Sequence, residues 1–259
     1  MVVSPHRSRR QATLSPGRLE VPRGALSDAI RHDRRAPLKI ALTRLGSICS
    51  SRAVYNLNGA FNYLHVGWWL RAHGFRPRSW VGTREELFRQ LAHELGDQDV
   101  LYLEFGVAAG ASMRQWSRLL RNPHTALHGF DSFLGLPHDW SLEGHELGAF
   151  STGGKEPELD DPRVQFFAGW FDETLPRYRW SEHDSLIVML DADLYTSTAS
   201  VLEFVADHLK PGSYLYFDQF HHRADELRAF SEFLEEKPLA FELAVATLDL
   251  ASVAFRCVA

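Results

Sequence analysis

Acidic side chains follow two apolar runs in the second half of the chain, at the points where each run ends. Asp191 and Asp193 come directly after SLIVML, whereas Asp218 and Gln219 come directly after SYLYF. If both runs are parallel strands, their carboxyl ends face one crevice, which brings three carboxylates and one amide oxygen together. Mg²⁺ prefers such hard oxygen ligands, and a bound cation stabilises a developing alkoxide. We therefore expect Asp191, Asp218 and Gln219 to be metal ligands, with Asp193 as an alternative ligand.

A glycine-bearing turn follows an earlier apolar run, VLYLEFG. Its pattern is E-x-G-x-x-x-G, formed by Glu104, Gly106 and Gly110, and Ser112 opens the predicted helix beyond it. Glycines at such a turn let the backbone approach a ligand closely, and the following helix start favours negative charge. A dinucleotide site would have G-x-G-x-x-G, with one more glycine and a different spacing. The turn is therefore better suited to a ligand without a pyrophosphate.

Asp131 ends the next predicted strand, 21 residues after Gly110. A carboxylate at this point can accept hydrogen bonds from both hydroxyls of a ribose. A loop or helix-capping aspartate would explain the residue equally without a ligand. Because the aspartate stands in register with the glycine turn, the two motifs together predict a site for a nucleoside cofactor.

Alternating strands and helices would position these motifs. Helical patterns separate the apolar runs, and two strand-like runs joined by a short turn end the chain. This order predicts an α/β fold with a doubly wound, Rossmann-like, seven-stranded sheet that ends in an antiparallel hairpin. After the first run, VLYLEFG, the expected strands are Ala126–Phe130, Val164–Ala168, Ser185–Leu190 and Ser213–Phe217, and the expected helices are Ser112–Leu120, Thr198–Leu209 and Ala224–Glu235.

Composition divides the chain into unlike parts. Residues 1–36 carry eight arginines against three acidic residues, although the whole chain has a formal net charge of −5. We expect residues 1–36 to be a disordered basic tail, residues 37–82 a helical extension, and residues 83–259 the cofactor-binding domain. The acidic body argues against a nucleic acid partner. Only two cysteines are present and no apolar run is long enough to cross a membrane, so we expect a cytoplasmic protein without a membrane partner.

Four segments resemble one known family. GFDSFLGLP, GWFDETLP, LDADLYTST and PGSYLYFDQF are similar to the macrocin O-methyltransferase family of class I methyltransferases, over about Leu101–Phe220. The resemblance implies S-adenosylmethionine as cofactor, assistance by a divalent metal, usually Mg²⁺, and methylation of a sugar hydroxyl on a natural product. It also predicts a cofactor-binding set consisting of Glu104, Gly106, Gly110, Ser112, Asp131, Ser132, Gly169, Trp170 and Phe171.

The chain departs from this family at the predicted metal site. The family has two consecutive aspartates where this chain has Asp218 and Gln219, so the site has one negative charge fewer and should bind Mg²⁺ more weakly. The resemblance suggests Asp191 as the general base that deprotonates the acceptor. His221 and His222 follow the second acidic motif and are alternative bases, although loop histidines more often serve packing.

Other functions are compatible with parts of this pattern. If the acidic group binds no metal, a metal-independent N- or C-methyltransferase or a non-catalytic nucleoside-binding protein would fit. A nicotinamide oxidoreductase fits less well, because class I methyltransferases have the terminal hairpin and dehydrogenase domains lack it. We expect a glycoside or polyol acceptor that contacts residues 137–162 and the aromatic segment Tyr55–Trp69. A homo-oligomer, a dimer or larger, is also expected.

Overall fold

The computed structural model describes residue 33, residues 35–140 and residues 144–259. These residues form two compact units, and the boundary between them lies between Asn58 and Gly59. That boundary falls inside the predicted helical extension, residues 37–82. The predicted basic tail lies almost entirely outside the described residues.

Two helices occupy the region predicted to be helical. Helix α1 covers Ala36–Gly46, with a proline in its first turn, where the missing N–H costs nothing. Helix α2 covers Ser51–Ala72 as one continuous element of 22 residues. No proline interrupts this segment, so its backbone hydrogen bonds continue past Gly59 and Gly67. Within the described part of the chain, no helix combines the length and apolar character needed to cross a membrane.

The second unit is built on one twisted sheet in the order β1-β7-β8-β6-β5-β2-β3-β4. The inner strands from β2 to β6 are parallel to one another, and β8 runs antiparallel between β6 and β7. This arrangement confirms the predicted doubly wound sheet with a terminal hairpin. The strands are β1 (Ser79–Val81), β2 (Val100–Phe105), β3 (Ala126–Asp131), β4 (Val164–Ala168), β5 (Ser185–Leu190), β6 (Tyr214–Phe217), β7 (Phe241–Thr247) and β8 (Val253–Cys257).

The helices of this unit lie between the strands. They are α3 (Arg84–Leu95), α4 (Ala111–Leu119), the single turn α5 (Phe171–Thr174), α6 (Tyr195–Val205) and α7 (Glu226–Glu236), with 3₁₀ turns at Leu175–Arg177 and Ala206–His208. Side chains on the central strands alternate between two apolar layers. Leu186, Val188 and Leu190 pack into one layer, whereas Ile187 and Met189 pack into the other. Both faces of the sheet are therefore buried, which explains the continuous apolar runs.

An eighth strand was not anticipated. Seven strands were expected, but Ser79–Val81, which lies within the predicted helical extension, forms an eighth strand that pairs in parallel with β7. The backbone N–H of Arg78 donates to the carbonyl of Leu243, and that of Leu248 donates to the carbonyl of Val81. Three residues are too few to show a strand periodicity, so these backbone hydrogen bonds to a distant segment define the strand.

The start of α3 is fixed by local hydrogen bonds. The Thr83 side chain accepts from the backbone N–H of Glu86 at 3.2 Å, and the Glu86 carboxylate accepts from the N–H of Gly82 at 2.7 Å. These contacts satisfy donors that the first helical turn leaves free. Leu87, Leu91 and Leu95 bury one face of the helix. The helix therefore begins at a defined point, with Arg84 as its first residue.

Gly106 is required where the turn after β2 meets the end of β5. Its φ is +94°, and a Cβ atom there would lie 1.9 Å from the carbonyl oxygen of Asp191. Gly212 has a similar φ of +99°, but no atom lies within 4 Å of its Cβ position. An alanine at Gly212 would therefore strain only the backbone, whereas an alanine at Gly106 would also clash with the end of β5.

We predict different costs for alanine at these two glycines. Gly212→Ala should cost about 1–2 kcal/mol, because only the left-handed backbone is strained. Gly106→Ala should cost at least about 2 kcal/mol more, since the strand ends must also separate. Urea unfolding of both variants measures the difference. Equal destabilisation would contradict the close approach of Gly106 to Asp191.

Candidate functional site

A cavity of about 670 Å³ lies at the carboxyl end of the parallel strands. Its wall contains residues that follow five successive strands: Gly106 after β2, Asp131 at the end of β3, Gly169 after β4, Asp191 after β5 and Gln219 after β6. The chain order reverses at β2, which has β3 on one side and β5 on the other. Ligands of open α/β sheets bind at such a reversal, and the volume suits a cofactor with part of an acceptor.

The residues predicted to bind a cofactor divide into two groups. Six of the nine line the cavity: Gly106, Asp131, Ser132, Gly169, Trp170 and Phe171. The other three, Glu104, Gly110 and Ser112, are not part of its wall. Glu104 and Ser112 are buried, and Gly110 caps α4 with a φ of +72°. These three residues support the turn from beneath.

Asp131 is held rigidly by the backbone around it. Its Oδ2 atom accepts from the N–H groups of Val107 at 2.8 Å and Ala108 at 2.7 Å, and its Oδ1 accepts from the N–H of Phe133 at 2.7 Å. A carboxylate has about four acceptor positions, so one is left for a ligand. Ala108 and Phe133 have φ of 45° and 58°, which is uncommon for residues with a side chain. The Asp131 carboxylate therefore stabilises both strained turns at the cavity.

Glu104 is fully buried beneath the glycine turn. Its Oε2 accepts from the Tyr102 hydroxyl at 2.8 Å. Burial raises the pKa of Glu104 to about 8, although the hydrogen bond from Tyr102 and the charge of Arg84 act in the opposite direction. The side chain therefore keeps its proton in the folded protein at pH values where an exposed glutamate is ionised.

Further carboxylates crowd the edge where β5 and β6 end. Burial, together with the charges of Asp218 and Asp193, raises the pKa of Asp191. Burial and Asp218 likewise raise the pKa of Asp193 to about 7. Glu226 is fully buried and accepts from the backbone N–H of Gln219 at 3.0 Å. Burial raises its pKa well above the ordinary value, and Asp218 adds to the effect. This edge therefore crowds carboxyl groups in a poorly solvated place, where ionisation of Asp191, Asp193 and Glu226 is disfavoured.

Gln219 and Asp218 face different partners. The side-chain amide nitrogen of Gln219 donates to Oδ1 of Asp193 at 3.0 Å. Oδ1 of Asp218 accepts from Nη1 of Arg84 at 3.0 Å and from the Tyr216 hydroxyl at 2.6 Å. Asp191 and Gln219 reach the cavity wall, and Asp218 does not. Within residues 33, 35–140 and 144–259, no group of three His, Cys, Asp or Glu side chains is arranged to hold a metal ion.

The two histidines predicted as alternative bases lie off the cavity wall. The His221 ring stacks on Tyr63 with centroids 5.0 Å apart, and burial lowers its pKa. His222 meets Trp140 edge-on at 5.1 Å, and burial lowers its pKa to about 3. Both rings therefore pack against aromatic side chains outside the cavity wall.

Two parts of the site were not predicted from the sequence. Hydroxyl side chains of the first turns of α6 line the cavity: Thr196, Ser197 and Ser200. Their run TSTAS is a usable signal, because it adds polar groups directly after the acidic motif. Arg84 is the second omission. A cation in the first turn of a helix opposes the helix dipole, so this position by itself indicates a compensating partner elsewhere.

Comparison with solved structures defines the fold. A calicheamicin methyltransferase matches with a TM-score of 0.51 and 23% identity, over 66% of this chain and 76% of the other. The O-methyltransferase NovP matches with a TM-score of 0.53 and 24% identity, over 68% and 80%. The chain has the class I methyltransferase fold.

Sequence comparison finds similarity to one family over part of the chain. Residues 149–257 match the macrocin O-methyltransferase (TylF) family, which confirms the resemblance seen in the motifs. A 4'-O-methyltransferase from Streptomyces olivaceus, acting on a rhamnosyl tetracenomycin, is 37% identical over 62 residues. That segment is 24% of this chain and 23% of the relative, so the match spans about a quarter of its length.

We predict that Glu104 makes the free protein less stable as pH rises. Because its folded pKa is about 8, its contribution is fully present below the ordinary glutamate pKa of 4.5 and is lost as pH rises through 8. Within that window the slope from this one group is at most about 1.4 kcal/mol per pH unit. Glu104→Gln should therefore show a flatter fall in melting temperature between pH 5 and pH 8 than the wild type. Glu235→Gln changes an exposed glutamate and should keep the wild-type slope, and identical slopes for all three proteins would refute the assignment.

Proposed function

We propose that this protein is an S-adenosylmethionine-dependent O-methyltransferase that methylates a sugar hydroxyl on a small natural product. The observation that carries the proposal is the cavity itself, which joins the Asp131 turn to the Asp191 edge on a class I methyltransferase sheet. The named relatives support it, since one methylates a rhamnosyl group and the matched family is that of macrocin O-methyltransferase. Fold, site and relatives agree on the same chemistry.

The cofactor end of the cavity suits S-adenosylmethionine. Gly106 provides a surface without a Cβ atom, where the backbone allows close approach. The remaining acceptor position of Asp131 faces a ribose hydroxyl in this proposal, and Trp170 and Phe171 border the adenine. When bound, the cofactor supplies an electrophilic methyl group on its sulfonium. The chain has to hold an acceptor oxygen in line with that group and exclude water.

Asp191 is the proposed general base. It lines the cavity, whereas His221 and His222 lie off the wall. The cofactor would supply the methyl group, and the acceptor hydroxyl would lose its proton as its oxygen receives that group. The hydroxyl proton passes to the carboxylate. Asp193, also on the wall, lies beside it and is held by Gln219.

The opposite wall suits a glycoside acceptor. Leu136 and Phe150 present apolar faces to the cavity, and the hydroxyls of Thr196, Ser197 and Ser200 line it from α6. A sugar ring has apolar faces and a polar rim, so it matches this combination of side chains. A sugar attached to a larger aglycone is the acceptor class that we propose.

A divalent metal has a place in this proposal only if the predicted ligands fit it. Asp218 already accepts from Arg84 and Tyr216, and Gln219 presents its amide nitrogen, not its oxygen, to Asp193. Arranged in this way, the three residues do not fit Mg²⁺, and the proposed transfer has no step that uses a metal.

We predict that Asp131 controls cofactor affinity. Asp131→Asn keeps an acceptor oxygen but removes the charge, so calorimetric titration with S-adenosylhomocysteine should show at least tenfold weaker binding. Asp97→Asn, an exposed site before β2 at the other end of the sheet, should bind as the wild type does. Equal affinity in the two variants would remove the nucleoside assignment.

We also predict transfer of a labelled methyl group to rhamnosyl glycosides of aromatic aglycones. Asp191→Asn should lower the rate at least 100-fold while cofactor affinity changes little, because general-base removal affects the transfer step. Mass spectrometry of the product locates the methyl group. Methylation only at nitrogen or carbon would contradict the proposed acceptor.

A further inference from the structure

We propose that the guanidinium of Arg84 is the resident cation of the acidic edge and takes the position that a divalent metal would need. This inference rests on the proposed function, because it concerns the charge beside the proposed base. Nη1 of Arg84 lies 3.0 Å from Oδ1 of Asp218 and 3.9 Å from Oδ2 of Asp191. One cationic group therefore serves both of the carboxylates that were predicted to be the best metal ligands.

The surroundings keep Arg84 charged and in place. Oδ1 of Asp218 accepts a hydrogen bond from Nη1 of Arg84, which holds the end of the side chain in place. The side chain is 32% exposed, and its guanidinium carbon lies 5.8 Å from the centroid of the Phe88 ring, one turn further along α3. A guanidinium cannot be neutralised at physiological pH, so this charge is permanent.

The position of Arg84 in α3 is costly without the carboxylates. It is the first residue of the helix, where the helix dipole disfavours a cation. The Thr83 cap fixes the helix start, so the arginine extends from that point to the ends of β5 and β6. The attraction of two partly buried carboxylates offsets the local penalty.

Charge balance disfavours a second cation in the same place. The carboxylates of Asp191 and Asp218 are already paired with one positive charge, and Gln219 adds none of the negative charge that a further aspartate would bring. A divalent ion would have to displace the guanidinium or bear its repulsion at a few ångströms. The Arg84 guanidinium, a monovalent cation that is part of the chain, therefore stands in place of a divalent metal.

Arg84 acts through its neighbours. It is absent from the cavity wall, whereas Asp191 lines the wall. By holding Asp218 and attracting Asp191, it orients the proposed base and offsets the charge of the group beside it. Arg84 is therefore a positioning residue for the methyl transfer.

Metal titration of the whole protein tests this role. Mn²⁺ binding, followed by electron paramagnetic resonance, and Mg²⁺ binding, followed by calorimetry, are compared for wild type, Arg84→Met and Arg84→Lys. We expect no binding at this edge in the wild type or Arg84→Lys at low millimolar metal. Arg84→Met should gain a site at least tenfold tighter, which Asp191→Asn in the same variant should abolish. Arg78→Met removes an arginine paired with Glu94 and Glu242 and should gain nothing.

Two outcomes would overturn the proposal. One is wild-type Mg²⁺ binding that is lost on Asp191→Asn, and the other is a folded Arg84→Met protein with no gain in metal affinity. If Arg84→Met does not fold, the other proteins still test the proposal. Metal binding at this edge by the wild type or by Arg84→Lys would then contradict it.

Methyl transfer by the wild type should be unchanged by EDTA, and the lowered kcat of Arg84→Met should rise with added Mg²⁺. The metal titration needs neither cofactor nor acceptor, so failure of the proposed function would appear separately, as absent S-adenosylhomocysteine binding.

Discussion

Mutual repulsion between carboxylates at the carboxyl end of the sheet is the constraint on which the site depends. Five carboxyl groups lie there: Glu104, Asp191, Asp193, Asp218 and Glu226. Burial and the charge of Asp218 raise the pKa of both Asp191 and Glu226, and Glu104, Asp193 and Glu226 are buried. Such a group is tolerated only if its members keep protons, accept hydrogen bonds or meet a cation. Glu104 and Glu226 show the first two solutions, and the pair of Asp218 with Arg84 shows the third. A ligand in the cavity therefore binds beside carboxyl groups that are protonated, hydrogen-bonded or paired with Arg84.

The backbone around the cavity holds these charges at defined positions. Gly106 and the carbonyl of Asp191 are in contact distance only because the glycine lacks a side chain. On the other side, Asp131 gathers three backbone N–H groups from two turns. The ends of β2, β3 and β5 are therefore locked together by main-chain contacts. A rigid floor of this kind suits a reaction that depends on in-line alignment.

Sequence patterns predicted the sheet well, because the central strands are buried on both faces and read as unbroken apolar runs. They also placed Asp131, Asp191 and Gln219 at strand ends, and the fold brings all three to one cavity. The strand Ser79–Val81 was missed because its pairing is decided by a segment more than 150 residues away. Arg84 was missed for a similar reason, since its partners follow strands that only the tertiary fold brings near α3.

Gln219 and Arg84 are best understood as two parts of one change in the charge of the site. A divalent ion needs several anionic ligands, and each neutral ligand in their place weakens it. Here the uncharged Gln219 turns its amide nitrogen to Asp193, and a fixed guanidinium meets Asp218. Both features lower the demand for a second positive charge and raise the cost of adding one. Because a side-chain cation needs no free metal and does not dissociate, the orientation of the proposed base then depends on folding alone.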